Sequence, residues 1–364
     1  MNVLELLKKM IESKSQTPDD GGLLDFITEY LDGFTAIRID IEGVKNLFAY
    51  RRFGEGEHLC FAGHVDVVPS GDGWESDPYV ATLRDGFVYG RGAQDMKSGV
   101  AAFTQALKEA KSFKGTLSIL LTSDEEGPAK FGTLEVLKYL KEHDLLPDAV
   151  VVAEPTCETV FGDAMKVGRR GSINGILEVI GKQGHAAYPE KAINPIHQMA
   201  SILPRIAGAF LDEGDEVFAP SQLVITDIRS GIETTNVSPG KLKMMFNVRN
   251  STKTDKMSIE AFIADACKGL EYTLTLDQSA EPFVTDSATK IVRVLSECIN
   301  EVCAYTPKHS TAGGTSDARY IAKYGIDVIE FGVKNDTIHA PNERTSVAEV
   351  EDLYKVFSLL IRRF

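Results

Sequence analysis

The hydrophobic positions in the first half of the chain form short, nearly continuous apolar runs separated by amphipathic segments. The apolar runs are strand-like, and the amphipathic segments have the spacing of helices. Strands that are apolar on both faces are typical of a sheet covered by helices on both sides, which predicts an α/β layer fold. The predicted strands are 46–52, 58–68, 116–126 and 148–156, and the predicted helices are 1–15, 98–112 and 131–143.

The pattern changes at about residue 172. Strand-like segments now alternate apolar and polar positions, as in a sheet with one solvated face, and two helical segments lie among them. After residue 282 the first pattern returns, with a helix over 287–304, an apolar strand over 326–332 and a terminal helix. We therefore predict a first domain formed by 1–171 and 283–364, with a smaller α+β domain, 172–282, inserted into it.

Composition narrows the function classes. The chain has 364 residues and a formal net charge of −14, which disfavours binding to nucleic acid because that requires a basic face. No stretch approaches the roughly 20 apolar residues of a membrane span. The five cysteines are scattered without a C-x-x-C pair, which favours a reducing cytoplasm over a disulfide framework.

A histidine and an aspartate end the second predicted strand, in the segment GHVDVVPSGDGW. Side chains two residues apart on a strand share a face, so His64 and Asp66 should project together. One interpretation is a core histidine held by a neighbouring carboxylate. The other is a metal-binding imidazole that Asp66 orients through its second nitrogen.

Acidic residues follow other predicted strands. Asp95 lies in GRGAQDMKSG, where the ordinary role would be an N-cap of the next helix. In TSDEEG, Glu125 and Glu126 would point in opposite directions on an extended backbone, so that one could bind a metal while the other faces a water. A solvated acidic loop is the alternative. Glu154 ends VVAEPT, and His339 lies in the loop NDTIHAPNE.

Taken together, these residues predict a metal site. Strand ends of one sheet converge on one rim, so two imidazoles and three carboxylates could meet there. That donor set suits zinc, cobalt or manganese, and five ligands are more than one catalytic zinc needs. A pair of metals sharing a carboxylate is therefore the economical interpretation. No G-x-S-x-G, P-loop or H-E-x-x-H motif offers a competing chemistry.

With these motifs the chain resembles the M20 family of dinuclear zinc hydrolases. RRGS, KQGHAAYP, TNVSPG, GGTSDARY and IHAPNE also carry the resemblance, which spans most of the chain. It implies a zinc-exopeptidase-like three-layer catalytic domain with an inserted α+β dimerisation (lid) domain, a homodimer, and two Zn²⁺ per subunit that Co²⁺ can replace. It also implies a cis peptide bond between Asp95 and Met96.

The resemblance further implies roles for individual residues. His64 and Glu154 would hold one zinc, Glu126 and His339 the other, and Asp95 would bridge them. Glu125 would be the general base, with Asp66 supporting catalysis and His185 donating to the oxyanion in the partner subunit's site. The residues expected to bind the substrate are Arg170, Tyr188, Asn236, Arg249, Ser279, Gly314 and Thr315. From the residues alone, less favoured alternatives remain. Arg170 and Arg249 could be ordinary ion-pair partners, His185 a solvated loop residue, and GGTSDAR a Gly-rich turn that caps a helix over 316–323.

The implied substrate is a small anionic amide. RRGS with GGTSDAR favours the branch of the family that removes succinate from N-succinyl-L,L-2,6-diaminopimelate, a reaction of lysine and diaminopimelate biosynthesis. An acetylornithine deacetylase, another deacylase or peptidase of the family, and a non-catalytic dimeric metal-binding homologue are the alternatives.

Overall fold

The computed structural model describes all residues, Met1–Phe364, and they form two compact units. The first contains Met1–Gly168, Thr285–Ser310 and Ser316–Phe364, and the second contains Arg169–Val284 and Thr311–Thr315. These bounds lie two to three residues from those expected, and the sequence pattern gave no sign that 311–315 would join the second unit.

Nine α-helices form, and most have the amphipathic spacing noted above. The helices are α1 (Val3–Glu12), α2 (Leu23–Tyr30), α3 (Lys97–Glu109), α4 (Thr133–Glu142), α5 (Pro195–Ile206), α6 (Lys256–Ala266), α7 (Lys290–Cys303), α8 (Ala318–Ala322) and α9 (Val347–Arg363). None of them is long and apolar enough to cross a membrane.

Nineteen strands form, several of them too short to be seen in the hydrophobic pattern. The strands are β1 (Thr35–Arg38), β2 (Asn46–Arg52), β3 (Glu57–His64), β4 (Thr82–Arg84), β5 (Phe87–Tyr89), β6 (Gly115–Thr122), β7 (Ala149–Val152), β8 (Ala164–Lys166), β9 (Gly168–Arg169), β10 (Ser172–Ile180), β11 (Gly184–His185), β12 (Gln222–Ser230), β13 (Val237–Ser238), β14 (Lys241–Arg249), β15 (Glu271–Ala280), β16 (Phe283–Val284), β17 (Lys308–Ser310), β18 (Asp327–Glu330) and β19 (Arg344–Ser346).

The first unit is built on an eight-stranded mixed sheet with the order β1-β2-β6-β3-β7-β18-β8-β17. Its central strands β6, β3, β7 and β18 are parallel to their neighbours in that series, so their carboxyl ends share one edge. Nearly every residue of β6 and all of β7 are buried, which requires cover on both faces. The predicted α/β class is confirmed.

Aromatic side chains fill the core between this sheet and the packed helices α3 and α9. The ring of Phe61 lies 5.7 Å from that of Phe103 and 5.2 Å from that of Phe357, and all three side chains are fully buried. The strand β3 that ends at His64 is therefore anchored in a buried aromatic core.

The second unit contains a four-stranded antiparallel sheet with the order β12-β14-β10-β15. Buried and less buried positions alternate along β14 and β10, and the buried residues pack with those of α5 and α6. Apolar side chains also occupy the uncovered side, including Val224, which is 51% exposed, and Met245, which is 37% exposed.

The chain leaves and re-enters the first unit at neighbouring points. The backbone N–H of Thr285 donates to the carbonyl oxygen of Val167 at 2.7 Å, and the Thr285 hydroxyl donates to the carbonyl of Val328. The long excursion 169–284 thus begins and ends beside the same sheet.

Candidate metal centre and active site

The carboxyl edge of the parallel strands carries the candidate ligands. His64 is the last residue of β3, Glu126 follows β6, and Glu154 follows β7. His339 lies between β18 and β19, and Asp95 lies between β5 and α3. All five belong to the first unit.

His64 lies at the centre of one group of donors. Its Nε2 is 3.2 Å from Oδ1 of Asp95 and 3.8 Å from Oε1 of Glu154. Its Nδ1 lies 2.9 Å from the backbone carbonyl of Asp66 and 3.5 Å from the Asp66 carboxylate. Asp66 therefore contacts the imidazole mainly through its carbonyl oxygen, whereas the expectation was a contact from its carboxylate. It lies two residues beyond the end of β3.

His339 lies at the centre of the other group. Its Nε2 is 3.0 Å from Oε1 of Glu126 and 3.6 Å from Oδ2 of Asp95. Asp95 thus turns one carboxylate oxygen towards His64 and the other towards His339. A carboxylate shared in this way between two imidazoles is the arrangement that two neighbouring cations need.

Glu125 and Glu126 lie in a turn rather than on an extended strand, because β6 ends at Thr122. The extended-backbone expectation was wrong. The Asp66 carboxylate accepts the backbone N–H groups of Glu125 at 3.4 Å and Glu126 at 3.1 Å, which fixes the turn. The carboxylate of Glu125 comes within 4.8 Å of donor atoms of His64 and Glu154.

Negative charge is concentrated at this edge. Burial raises the pKa of Glu154 well above its ordinary value, and the charge of Asp95 raises it further. Burial likewise raises the pKa of Glu125. The charge of His64 acts to lower it and the charges of Asp317 and Glu126 act to raise it, and the net shift is upward. Burial lowers the pKa of His64, but hydrogen bonds to Asp66 and Asp95 and the charge of Glu154 act to raise it, and the net shift is upward.

The residues present fit two divalent cations. Buried carboxylates that repel one another, with only imidazoles beside them, are stabilised by bound positive charge. Oxygen and imidazole nitrogen donors of this kind suit zinc, cobalt and manganese. The residues that would hold the pair are those of the two groups above: His64, Glu154, Asp95, Glu126 and His339.

The ordinary role suggested for Asp95 does not apply. The helix α3 begins at Lys97, its N-cap is Met96, and no side chain caps it. The peptide bond between Asp95 and Met96 is cis, as the resemblance implied.

Sequence reasoning missed two buried carboxylates near the site. Asp317 is 7% exposed, burial raises its pKa to about 6, and its charge acts on Glu125. It lies in GGTSDARY, shortly after the predicted substrate-binding residues Gly314 and Thr315. Glu343 ends the segment IHAPNE, and the only available signal was its place four residues after His339.

The other predicted site residues belong to the second unit. His185 is exposed at the end of β11, its Nδ1 accepts the N–H of Ala187 at 3.0 Å, and its ring lies 5.8 Å from that of Tyr188. Asn236 is exposed, and its carbonyl accepts the N–H of Ala186. His185, Tyr188 and Asn236 are therefore neighbours on one surface.

The two arginines also lie near each other. Burial lowers the pKa of the Arg170 guanidinium, and the charge of Arg249 lowers it further. The buried Nε of Arg170 has no hydrogen-bond partner, and neither does the buried hydroxyl of Thr315.

Two predicted residues make backbone-directed contacts. The Ser279 hydroxyl donates to the carbonyl of Ser172 at 3.1 Å, and the Gly314 carbonyl accepts from Arg169 at 3.2 Å.

The chain matches a known protein family over most of its length. Residues 60–363 fit the model of peptidase family M20/M25/M40. The chain belongs to this family. M20 relatives include a protein from Nitratiruptor sp., 64% identical over the full length of both chains, and one from Sulfurovum sp., 65% identical over 100% of this chain and 99% of the relative. Both are named succinyl-diaminopimelate desuccinylase.

Solved M20 structures share the fold. Aminopeptidase PepT from Bacillus cereus superposes with a TM-score of 0.83 at 19% identity, covering 100% of this chain and 98% of that one. The Bacillus subtilis YXEP protein, described as a dinuclear metal-binding peptidase, gives a TM-score of 0.73 at 14% identity over 99% and 96% of the two chains.

Proposed function

We propose that this chain hydrolyses the amide bond of N-succinyl-L,L-2,6-diaminopimelate, releasing succinate and L,L-2,6-diaminopimelate. The observation that carries the proposal is the pair of imidazoles sharing Asp95, with Glu125 beside them, in a chain more than 60% identical to desuccinylases over its full length. The reaction belongs to lysine and diaminopimelate biosynthesis.

Zinc is the proposed metal, two ions per subunit, with cobalt as a substitute. His64 and Glu154 would hold one ion, Glu126 and His339 the other, and Asp95 both. When bound, such ions polarise a carbonyl oxygen and lower the pKa of a water from about 15.7 towards about 7.

Glu125 is the proposed general base. A carboxylate whose pKa burial has raised is suited to taking a proton near neutral pH and giving it up again. It would accept the proton of the attacking water and pass it to the leaving amine. Asp66 would act by holding His64 and the N–H groups of the turn that carries Glu125.

Recognition of the substrate is assigned to residues of the second unit. A carboxylate that binds between two guanidinium groups reduces the repulsion between their charges. A guanidinium also binds a carboxylate through two parallel hydrogen bonds. Arg170 and Arg249 are the proposed partners of the substrate carboxylates. Further contacts are proposed for Ser279, Gly314 and Thr315.

We also propose a homodimer formed through the inserted domain. In it, His185 would donate to the oxyanion of the partner subunit's site, and Tyr188 and Asn236 would contact the substrate there. A cytoplasmic location is proposed because all five cysteines are free thiols.

A substrate panel tests the function. Protein loaded with Zn²⁺ or Co²⁺ is assayed with N-succinyl-L,L-2,6-diaminopimelate, N-acetylornithine and a dipeptide, each with and without a chelator. We expect the succinyl substrate to have the highest kcat/KM, at least about tenfold to 100-fold above N-acetylornithine, since a lost charge-assisted hydrogen bond costs about 1.5–3 kcal/mol. Faster turnover of N-acetylornithine or of the dipeptide would favour those activities, and no turnover of any substrate would favour a metal-binding homologue.

A further inference from the structure

The carboxylate of Glu343 collects hydrogen bonds from one short segment. Its Oε1 accepts the backbone N–H groups of Gln94 at 2.8 Å and Asp95 at 3.0 Å. Its Oε2 accepts the N–H of Gly92 at 2.9 Å and a guanidinium N–H of Arg91 at 2.7 Å. Each oxygen therefore accepts two donors, and all four come from the segment that ends at the shared ligand.

The guanidinium of Arg91 extends this contact to two other loops. It is buried, and its Nη2 donates to the carbonyl of Ser70 at 3.0 Å and, more weakly, to those of Pro69 and His339 at 3.4 Å. Its Nη1 reaches the carbonyl of Ala340 at 3.3 Å. One ion pair thus joins the loop after β3, the segment before α3 and the loop that carries His339.

We propose that Arg91 and Glu343 are positioning residues for the metal pair: they hold the backbones of Asp95 and His339 so that both side chains can reach the same two cations. The inference rests on the proposed metal-dependent function. Its physical basis is that hydrogen bonds behind a metal ligand fix the direction of that ligand. Stability alone is a weak reason for such a pair, because burying two charges costs about as much as their attraction returns.

The two cation positions should depend on this pair to different degrees. The His64 side chain is 1% exposed, ends the anchored strand β3 and is held by Asp66. The His339 side chain is 50% exposed and lies on a loop, so its position depends more on the hydrogen bonds of that loop. Losing the Arg91–Glu343 pair should therefore lower the affinity for the cation at Glu126 and His339 more than the affinity for the cation at His64 and Glu154.

The substitution Glu343→Gln tests the proposal with almost no change of shape. The new amide nitrogen cannot accept hydrogen bonds, so whichever way the amide turns, two of the four donors lose their acceptor. Metal-free wild-type and variant proteins are titrated with Co²⁺, and binding is followed by calorimetry and by the visible absorption of the bound ion. We expect two equivalents in the wild type. In E343Q the second equivalent should bind about tenfold to 100-fold more weakly, and the affinity for the first should fall by less.

Glu349→Gln is the matched control. Glu349 is a buried glutamate of the same unit that accepts the N–H of Lys334 at 3.2 Å and pairs with its ammonium group at 3.4 Å. We expect E349Q to bind both cobalt equivalents like the wild type. Equal weakening in E349Q and E343Q would indicate general loosening and would overturn the positioning role.

Arg91→Lys keeps the test valid if E343Q does not fold. Lysine retains the charge opposite Glu343 but has no planar fork to reach both neighbouring loops, so R91K should also lose affinity for the second cobalt. Wild-type affinity for both equivalents in either folded variant overturns the inference alone. A wild type that binds fewer than two equivalents overturns the proposed dinuclear function, and this inference with it.

Discussion

We expect His58 to make the stability of the first unit depend on pH, because its imidazole is largely buried near the start of β3. Its Nε2 lies 2.7 Å from the Ser118 hydroxyl, and its ring lies 6.2 Å from that of Phe48. Burial lowers the pKa of His58 to about 4, although the charge of Asp148 acts to raise it. A histidine in an unfolded chain has a pKa of about 6.5.

The sign of the effect follows from these two values. Between them the unfolded chain binds a proton that the folded chain does not, so stability rises with pH over this interval. The contribution of His58 is fully present above about pH 6.5 and is lost as the pH falls towards about 4. The full pKa difference corresponds to about 3 kcal/mol of free energy of unfolding. About 2 kcal/mol of this is lost when the pH falls from 8 to 5.

Urea denaturation of the wild type and of His58→Gln at pH 8 and pH 5 measures this contribution. Trp74, the only tryptophan, lies in the first unit and reports its unfolding by fluorescence. Between pH 8 and pH 5, the free energy of unfolding of the wild type should fall by about 2 kcal/mol more than that of H58Q, because glutamine does not titrate. The control is His143→Gln, at an exposed histidine of the same unit, which should retain the wild-type dependence. Equal pH dependence of the wild type and H58Q would refute the reasoning.

Three further substitutions test other parts of the description. Glu125→Gln should lower kcat about 10²- to 10⁴-fold while elemental analysis still finds the wild-type metal content, because the base is lost but the proposed ligands remain; near-normal turnover would contradict the assignment. Arg170→Lys should raise KM for the succinyl substrate about tenfold to 100-fold with a smaller change in kcat, since lysine lacks the guanidinium fork. An unchanged KM would argue against that role. Phe61→Ala should destabilise the first unit by about 3–5 kcal/mol in urea, given the aromatic contacts that would be replaced by a cavity, and a loss below about 1 kcal/mol would show that the core collapses around the gap.

Much of the candidate metal centre could be predicted because the residues proposed as ligands follow strands. His64, Glu126 and Glu154 each come at or shortly after the end of a strand in the parallel series, and parallel strands bring their carboxyl ends to one edge. The apolar runs marked those strands in the sequence. The strand pattern in the sequence was therefore enough to predict that His64, Glu126 and Glu154 lie near one another.

The contacts that orient these side chains could not be predicted in the same way. Asp66 accepts N–H groups from the turn at Glu125, and Glu343 accepts them from the segment ending at Asp95. These contacts depend on the path of irregular backbone, which has no period to detect, and on donors that every residue type carries. The short strand β8 escaped detection for a related reason, because three residues are too few to show alternation.

The strand order of the first unit has a consequence for its synthesis on the ribosome. The position between β7 and β8 is filled by β18, which ends at Glu330, and α9, which packs on α1 and α3, ends at Arg363. The second unit draws all but five of its residues from the uninterrupted stretch that ends at Val284. Translation releases the chain from its N-terminus onward. We therefore expect the second unit to fold while the eight-stranded sheet of the first unit still lacks its central strand β18. Ribosome-bound chains stalled between these two points should therefore expose the apolar surface of the first unit to chaperones.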